Sequence, residues 1–515
     1  MLVNLIKKNF YRDSVYLMSL SNKIKIIGGV IDASVMMGTE ANKKLLTETG
    51  FFSKEGELAC PNDLLICMSL KTGCDLKKIS DEIEKLFDAP STDAENRVKA
   101  APQSVEDAIE LQPNSNMAVI SIPGGYVKYQ AEKLLKKGAN LMIFSDNVPV
   151  ETEIHLKKIG AEKGLLVMGP DCGTAIINGV PLGFANMVRK GGIGIVGASG
   201  TGIQEVTTII HKKGEGITQA IGLGGRDLSK DVGGLMMLEG IKMLEADSHT
   251  KIICVISKPP AAEIEKKVLD FIGKCKKPFV INFIGGNTAG REKSERMFFA
   301  STLEDAALKA ISVLKGKNYF PKVKLPEAII KDALGERKKI KKGQKYLRGL
   351  FSGGTLCDEA MFILSESLGG IYSNIAVKPE LKLKNSRESF KNSFIDLGDD
   401  EFTRGVPHPM IDFTVRNKRL VQEAKDKEVA VILFDLVLGY GAHPDPAGAI
   451  LPALTEAQDI AGKQKRYISF VTSICGTEQD PQNLTRQKEI LEKVGVKVLP
   501  SNATAARFTE VILNG

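Results

Sequence analysis

Residues 191–205, Gly-Gly-Ile-Gly-Ile-Val-Gly-Ala-Ser-Gly-Thr-Gly-Ile-Gln-Glu, run an apolar stretch into small residues and then into a helical pattern. Ile193, Ile195 and Val196 supply a buried strand, and Ala198 to Gly202 allow a tight turn whose backbone comes close to a ligand. A helix starts with unpaired N–H groups and a partial positive charge, so such a turn is a seat for an anion. The design returns at residues 346–359, where Tyr-Leu-Arg-Gly-Leu-Phe precedes Ser352-Gly353-Gly354-Thr355 and a second helical segment. The two turns predict two related lobes facing each other across a phosphate bound by Ser199, Gly200, Thr201, Ser352, Gly353, Gly354 and Thr355. The plainer alternative is a pair of strand-to-helix connections with serine caps.

The rest of the chain repeats around these turns in matching order. After the first come strands at 219–223, 252–256 and 279–283 and a helix at 303–314; after the second come strands at 394–397, 430–437, 467–472 and 496–499 and a last helix. Gly224-Gly225-Arg226-Asp227 and Gly398-Asp399-Asp400 follow equivalent strands. A repeat of whole strand–helix units in one order predicts two flavodoxin-like lobes, at 185–318 and 346–515, joined by a basic, solvated linker at 319–345. Upstream, strand and helix patterns alternate from 117 to 168, which predicts a parallel-sheet module at 96–184 of Rossmann type. Its strand tips are Pro123-Gly124, Asn147 and Pro170-Asp171. Residues 1–95 read as a small α+β module of ferredoxin-like type, with strands at 14–20, 33–37 and 64–70 and helices at 40–49 and 76–86, and a polar linker follows at 90–102. The fold class is therefore α/β: a Rossmann-like module and two flavodoxin-like lobes behind a small α+β module.

Composition narrows the partners. Among 515 residues, 70 basic residues against 62 acidic ones give a net charge of +8, and aromatics are 6% with no Trp, which favours a small anionic substrate over nucleic acid. The eight cysteines are scattered without a Cys-x-x-Cys pair, so they read as reduced thiols rather than a disulfide framework or a metal site. With no signal-peptide core and no apolar run of membrane-spanning length, the sequence predicts a cytoplasmic protein that does not enter a membrane. Arg226 and Arg404, after equivalent strands, have the fork geometry for carboxylate or phosphate, and each reads equally well as a surface ion pair. His443 and His408 lie in Pro- and Gly-rich tips suited to a proton carrier, with Asp445 placed to orient His443; a structural hydrogen bond is the alternative. Cys357, in a first helical turn, and Cys475 read as buried thiols.

Gly169-Pro170-Asp171-Cys172, then Gly194 to Thr201, then Ile221-Gly222-Leu223-Gly224-Gly225 resemble the α subunit of succinyl-CoA synthetase. The second lobe is similar to the carboxyl-terminal lobe of that enzyme's β subunit. Over its full length the chain most closely resembles the FdrA proteins, through Ser352 to Ala360, Asp396 to Asp400, Arg404, Pro407-His408-Pro409-Met410-Ile411-Asp412, Gly439 to Pro446 and Cys475-Gly476-Thr477. The resemblance makes the Rossmann-like module CoA-binding in type and the lobes ligase-like. It implies either of two activities: acyl-CoA synthetase (NDP-forming, with an ATP-grasp partner), or one subunit of an oxamate carbamoyltransferase that cleaves oxalurate with phosphate to oxamate and carbamoyl phosphate in anaerobic allantoin and purine breakdown. Three features of the sequence depart from the synthetases. Phe299 stands where they carry a phosphohistidine, no segment reads as ATP-grasp, and no glycine-rich CoA loop lies within 60–100. Phosphorolysis needs none of these, so carbamoyl transfer is the expected activity, with phosphate or carbamoyl phosphate as ligand, CoA as a possible one, and other carbamoyltransferase subunits as partners. A scaffold subunit lending one wall of a site is the non-catalytic alternative. The expected roles are Arg404 or Arg226 on the substrate carboxylate, Asp399 and Asp400 beside it, His443 as proton carrier, and Pro123, Gly124, Asn147, Pro170 and Asp171 as a vestigial CoA site; no metal is expected.

Overall fold

The computed structural model describes residues 1–10, 14–48, 50–88, 102, 104–286, 295–317, 324–376, 378–404 and 406–514. The chain divides into two compact units, Met1–Ala101 and Pro102–Gly515. In the first, β1 (Leu2–Lys7), α1 (Ser14–Lys25), β2 (Val30–Met37), α2 (Glu40–Glu48), β3 (Leu64–Leu70) and α3 (Leu76–Asp88) build a three-stranded sheet in the order β1-β3-β2. β3 pairs antiparallel with both neighbours. Residues 14–20, expected as a strand, begin the helix α1 instead: Leu17, Leu20 and Ile24 recur at helical spacing and are buried against the sheet. The linker expected at 90–102 lies outside the described residues except for Pro102.

In the second unit, α4 (Val105–Leu111) precedes a parallel sheet, β4 (Met117–Ile120), β5 (Asn140–Ile143) and β6 (Val167–Met168), with α5 (Gly124–Lys136) and α6 (Val150–Lys163) as crossovers. A hairpin follows, β7 (Thr174–Ile177) and β8 (Val180–Gly183). Its turn, Asn178-Gly179, has positive φ at both residues (52° and 82°), the geometry that matches strand twist in two-residue hairpins. The hairpin joins the next sheet through an antiparallel pairing with β10 (Ile217–Gly222).

That sheet is the first lobe. Its strands β9 (Lys190–Ala198), β10, β11 (Ile252–Ser257), β12 (Phe279–Phe283) and β13 (Met297–Phe299) are linked by α7 (Gly200–Lys212), α8 (Leu235–Ala246) and α9 (Ala262–Ile272), and α10 (Leu303–Leu314) closes it. Then α11 (Glu327–Arg337), inside the stretch expected as a solvated linker, buries Ala333 and Glu336; Glu336 accepts hydrogen bonds from Tyr467 and Ser469 of the second lobe. The second lobe runs β14 (Tyr346–Phe351), α12 (Gly354–Ser365), β15 (Tyr372–Ser373), β16 (Ser393–Asp396), α13 (Asp400–Thr403), α14 (Thr414–Ala424), β17 (Val429–Val437), α15 (Pro446–Lys463), β18 (Ser469–Cys475), α16 (Leu484–Lys493), β19 (Lys497–Leu499) and α17 (Asn502–Asn514).

The strand orders match: β10-β9-β11-β12-β13 in one lobe corresponds to β16-β14-β17-β18-β19 in the other. Both are the doubly wound order whose ligand crevice lies at the carboxyl ends of the first strand and its neighbour, here β9 with β11 and β14 with β17. Between the sheets lies one apolar core to which α7, α10, α12 and α17 all contribute, through Ile203, Ala306, Leu356 and Phe508 among others. Every residue of α7 from Thr201 to His211 is buried, so its polar side chains need partners inside the protein. Glu205 of α7 accepts the N–H of Asn502 at the start of α17, 2.9 Å, and Glu359 of α12 accepts the N–H of Leu303 at the start of α10, 2.6 Å. Each lobe's central helix thus caps a helix of the other lobe.

Burial pushes the Glu359 carboxyl up to about 7. Its folded-state pKa exceeds the unfolded one, so the native protein holds the extra proton between the two values and loses stability as pH rises from about 4.5 to about 7. Glu359→Gln removes that titration. Its melting temperature relative to the unsubstituted protein is expected to climb across this window, and a flat difference would show that Glu359 does not titrate there.

Candidate active site

The two helix tips meet. Ser199, the N-cap of α7, accepts the N–H of Gly202 (3.0 Å), and its hydroxyl lies 2.7 Å from that of Thr355 in the first turn of α12. Contact this close requires glycine. A Cβ on Gly353 would come within 2.8 Å of Thr201, and one on Gly202 within 3.1 Å of Thr355. Among the described residues, the N–H groups of Gly200 and Thr201 on one tip and of Gly354 and Thr355 on the other donate no hydrogen bond, and the Thr201 hydroxyl, on a residue 8% exposed, has no partner.

The second tip is partly spent internally. The N–H groups of Ser352 and Gly353 both donate to the buried carboxylate of Asp435 (2.8 Å each), and the Ser352 hydroxyl donates to it as well. Arg416 answers this charge from the other side at 2.7 Å. Ser352 and Gly353 therefore orient α12 and leave the N–H groups of half-buried Gly354 and buried Thr355 unspent.

Charged groups stand at the tip of α12. Lys258, after β11, pairs with Asp358 of α12 at 2.9 Å. Burial works against its charge, but Asp358 and Asp396 hold the ammonium above the ordinary lysine range. At the end of β16, burial pushes Asp396 up to about 7, with Lys258 and the Gly398 N–H opposing. A Cβ on Gly354 would meet the Asp396 carboxylate at 2.4 Å and the Lys258 ammonium at 3.2 Å, which puts both groups at the tip of α12. His408 reaches the same wall, its Nε2 2.8 Å from where a Cβ of Gly398 would sit, while its ring packs against Phe184 with centroids 5.3 Å apart and planes tilted by 39°. Lys258, Asp396 and His408 were not singled out together from the sequence; the usable signal was that Asp396 ends and Lys258 follows a strand of the repeated units, while His408 lies in the loop beyond α13.

The remaining expected residues fall elsewhere. Arg226 donates to Glu153 (2.9 Å) and to the Val148 carbonyl (2.9 Å), bound to the buried Glu153–Lys157–Asp227 network rather than to the tips. Arg404 is exposed at the end of α13, Asp399 caps that helix through the N–H of Glu401, and Asp400 is exposed. His443 accepts the Asp445 N–H on Nδ1 (3.0 Å), while the Asp445 carboxylate takes a hydrogen bond from Gln487, so Asp445 orients the ring through its backbone. Pro123, Gly124, Asn147, Pro170 and Asp171 do gather at one end of the β4-β5-β6 sheet: a Cβ on Gly124 would strike the Asn147 carbonyl at 2.4 Å, and the Asp171 N–H donates to Ser145. The close approach at Gly124 is thus taken up by the chain itself. Asp171 reaches solvent, yet the surrounding protein and the carboxylates of Asp400 and Asp146 push it up to about 6. Phe299 packs in the core beside β12. Burial drives the thiols of Cys357 and Cys475 well up, the state of inert cysteines. Two shallow surface depressions, about 440 Å³ beside α9 and about 290 Å³ beside β19, hold none of these groups. No group of three or more His, Cys, Asp or Glu placed to hold a metal, and no helix long and apolar enough to cross a membrane, occurs among the described residues.

Comparison with known proteins agrees with this architecture. A CoA-ligase family model matches residues 350–512, a CoA-binding-domain model matches 188–285, and one described as an AllF heavy metal-associated domain matches 1–104. The CoA-binding match thus falls on the first lobe rather than on the three-stranded module before it. Over 502 residues the chain is 46% identical to the uncharacterized protein YahF of Escherichia coli K12, covering 97% of this chain and 96% of that one. The chain belongs to the YahF family. This YahF-family protein is also 26% identical over 190 residues to a subunit α of an ADP-forming succinate–CoA ligase of Archaeoglobus fulgidus, 36% of this chain and 63% of that subunit. A subunit of an ADP-forming sulfoacetate-CoA ligase of Bilophila wadsworthia, SauD, is 26% identical over 197 residues, 37% of this chain and 66% of that one. Among solved structures, a dinucleotide-forming acetyl-coenzyme A synthetase of Ca. Korarchaeum cryptofilum covers 77% of this chain and 82% of its own at 15% identity, with a TM-score of 0.31.

The Gly353 contact is directly testable. Gly353→Ala is expected to cost about 1–3 kcal/mol by overpacking against Thr201, and Thr201→Ser, which removes the methyl in its way, to recover part of that loss. Losses that simply add in the double variant would mean that the tips do not touch there.

Proposed function

We propose that the paired helix tips hold the phosphate of an acyl phosphate, and that the chain is the acyl-transfer core of a succinyl-CoA-ligase-like acyl-CoA synthetase working with an ATP-grasp partner subunit. The observation that supports this reading is the 2.7 Å contact between the Ser199 and Thr355 hydroxyls, which brings together the starts of two helices whose first N–H groups are unpaired among the described residues. The CoA-ligase and CoA-binding matches support it. In this reading Gly200, Thr201, Gly354 and Thr355 donate to phosphate oxygens, and Lys258 adds a full positive charge. Such preorganised donors act most strongly on charge that develops during the reaction. As the acceptor attacks the acyl carbon, the bond to the phosphate oxygen breaks and the electron pair leaves with phosphate, held at the tips. The acceptor's proton passes to Asp396, whose carboxyl is poised near neutrality.

Carbamoyl transfer, phosphorolysis of oxalurate to oxamate and carbamoyl phosphate, is the second reading. It is favoured by Phe299, a core residue where the FdrA-like resemblance sets this chain apart from histidine-bearing synthetases. Carbamoyl phosphate is itself an acyl phosphate, so the same seat and the same donors serve both reactions.

Millimolar inorganic phosphate and acetyl phosphate are each expected to raise the melting temperature of the chain. Lys258→Met should weaken both by about 10-fold or more, the worth of a charged hydrogen bond. A chain that neither anion stabilises would remove the seat. With its genomic neighbours present, acetyl-CoA formation from acetyl phosphate and CoA would favour the synthetase reading, and carbamoyl phosphate formation from oxalurate and phosphate the other.

A further inference from the structure

We propose that His408 is the group that polarises the substrate's carbonyl: its neutral imidazole donates the Nε2 hydrogen to the acyl oxygen of an acyl phosphate whose phosphate sits at the helix tips. The inference rests on the acyl-phosphate reading above and extends it to a residue that reading does not use.

The tautomer follows from one hydrogen bond. Nδ1 of His408 accepts the backbone N–H of Met410 at 3.2 Å, and because a backbone amide only donates, Nδ1 carries the lone pair. In the neutral ring the hydrogen must then be on Nε2. Burial, followed by the charge of Arg416, lowers the pKa of His408 to about 4, so the ring is neutral at physiological pH. It is a donor that carries no positive charge.

Position follows from the neighbours. The loop that bears the ring is tied back on itself, since the His408 carbonyl accepts the N–H groups of Ile411 and Asp412. Packing against the tilted ring of Phe184 restrains the imidazole. The Phe184 carbonyl in turn accepts the hydroxyl of Thr174 (2.7 Å), and that hydroxyl lies 3.2 Å from where a Cβ of Gly200 would be, at the tip of α7. On the other side, the space beside Gly398 is shared by Nε2, the Ser352 carbonyl (2.7 Å) and a carboxylate oxygen of Asp396 (3.2 Å), next to the tip of α12. His408 therefore stands on the wall between the tips. Nε2 has no hydrogen-bond partner among the described residues, and a Cβ at position 398 would crowd it at 2.8 Å. In acyl transfer the carbonyl oxygen gains negative charge when the acceptor bonds to carbon and loses it when phosphate departs. A donor aimed at that oxygen strengthens its bond in the transition state, and a neutral one keeps its proton afterwards.

The test uses the full chain, with inorganic phosphate and acetyl phosphate as separate probes in calorimetry. His408→Phe keeps a ring to pack against Phe184 and removes the donor. It is expected to leave phosphate affinity unchanged, to weaken acetyl phosphate about 10-fold, and to cut the rate of acyl transfer about 10²–10³-fold, with His408→Gln recovering part of both. The infrared carbonyl band of bound acetyl phosphate should lie below its free position in the unsubstituted protein and return to it in His408→Phe. Equal loss of both anions, or an unmoved carbonyl band, would overturn the proposal while leaving the phosphate seat intact. Binding of neither anion by the unsubstituted chain would overturn the seat and the proposal together. Should His408→Phe not fold, the ¹⁵N spectrum of histidine-labelled unsubstituted protein decides: an Nε2–H signal that shifts with acetyl phosphate and not with phosphate is expected, and a protonated Nδ1 would refute it.

Discussion

Two buried carboxylates hold the lobes in register. Glu205 and Glu359 occur six residues after the N-caps of α7 and α12, and each reaches across to the first turn of a helix in the opposite lobe. A helix N-terminus is a favourable place for a carboxylate, because its N–H groups lack partners and its dipole is positive there. Burial still penalises the charge, and both side chains are raised in pKa for that reason. Asn502 links the pair, giving its backbone N–H to Glu205 and its side-chain amide to Glu359 at 2.7 Å. A slip of either lobe along the other would break both caps at once and strand four polar groups in an apolar core.

That register places Ser199 against Thr355, and the properties of the site follow from it. The reciprocity of the caps does not extend to the donors. On α12 the inner N–H groups are satisfied by Asp435, whose charge Arg416 balances, so this tip is locked by an internal ion pair. On α7 the cap is a serine hydroxyl, and no carboxylate enters. Lys258 from the first lobe and Asp396 from the second both stand at the tip of α12. Each lobe thus contributes one helix tip and one ionisable group, and neither alone encloses the place where an oxyanion would sit. Contact between the lobes makes the candidate site.

Much of this was legible in the chain. The repeated strand–turn–helix units and their order carried over to the two sheets, because alternation between apolar strands and amphipathic helices is local and survives any packing. The hairpin at 174–183 was not read from the sequence, although Asn178-Gly179 between two short apolar runs is its local signal; its pairing with β10 had no such signal. Residues 14–20 show the opposite case. A short apolar run fits strand or helix equally, and burial of Leu17, Leu20 and Ile24 along one helical face decided it.

What the sequence determined by itself was the inventory: two glycine-rich helix starts, their small hydroxyl residues, and a matched series of strand ends carrying polar groups. Which of those groups meet was decided only in three dimensions. Arg226 and Lys258 both follow strands of the first lobe, yet Arg226 turns to Glu153 while Lys258 faces α12. His408 and His443 look alike in their proline-rich tips, yet His408 alone reaches the Gly398 wall. The reason is physical: spacing along a chain sets the face a residue occupies within its own element, whereas contacts hundreds of residues apart depend on how two finished lobes pack.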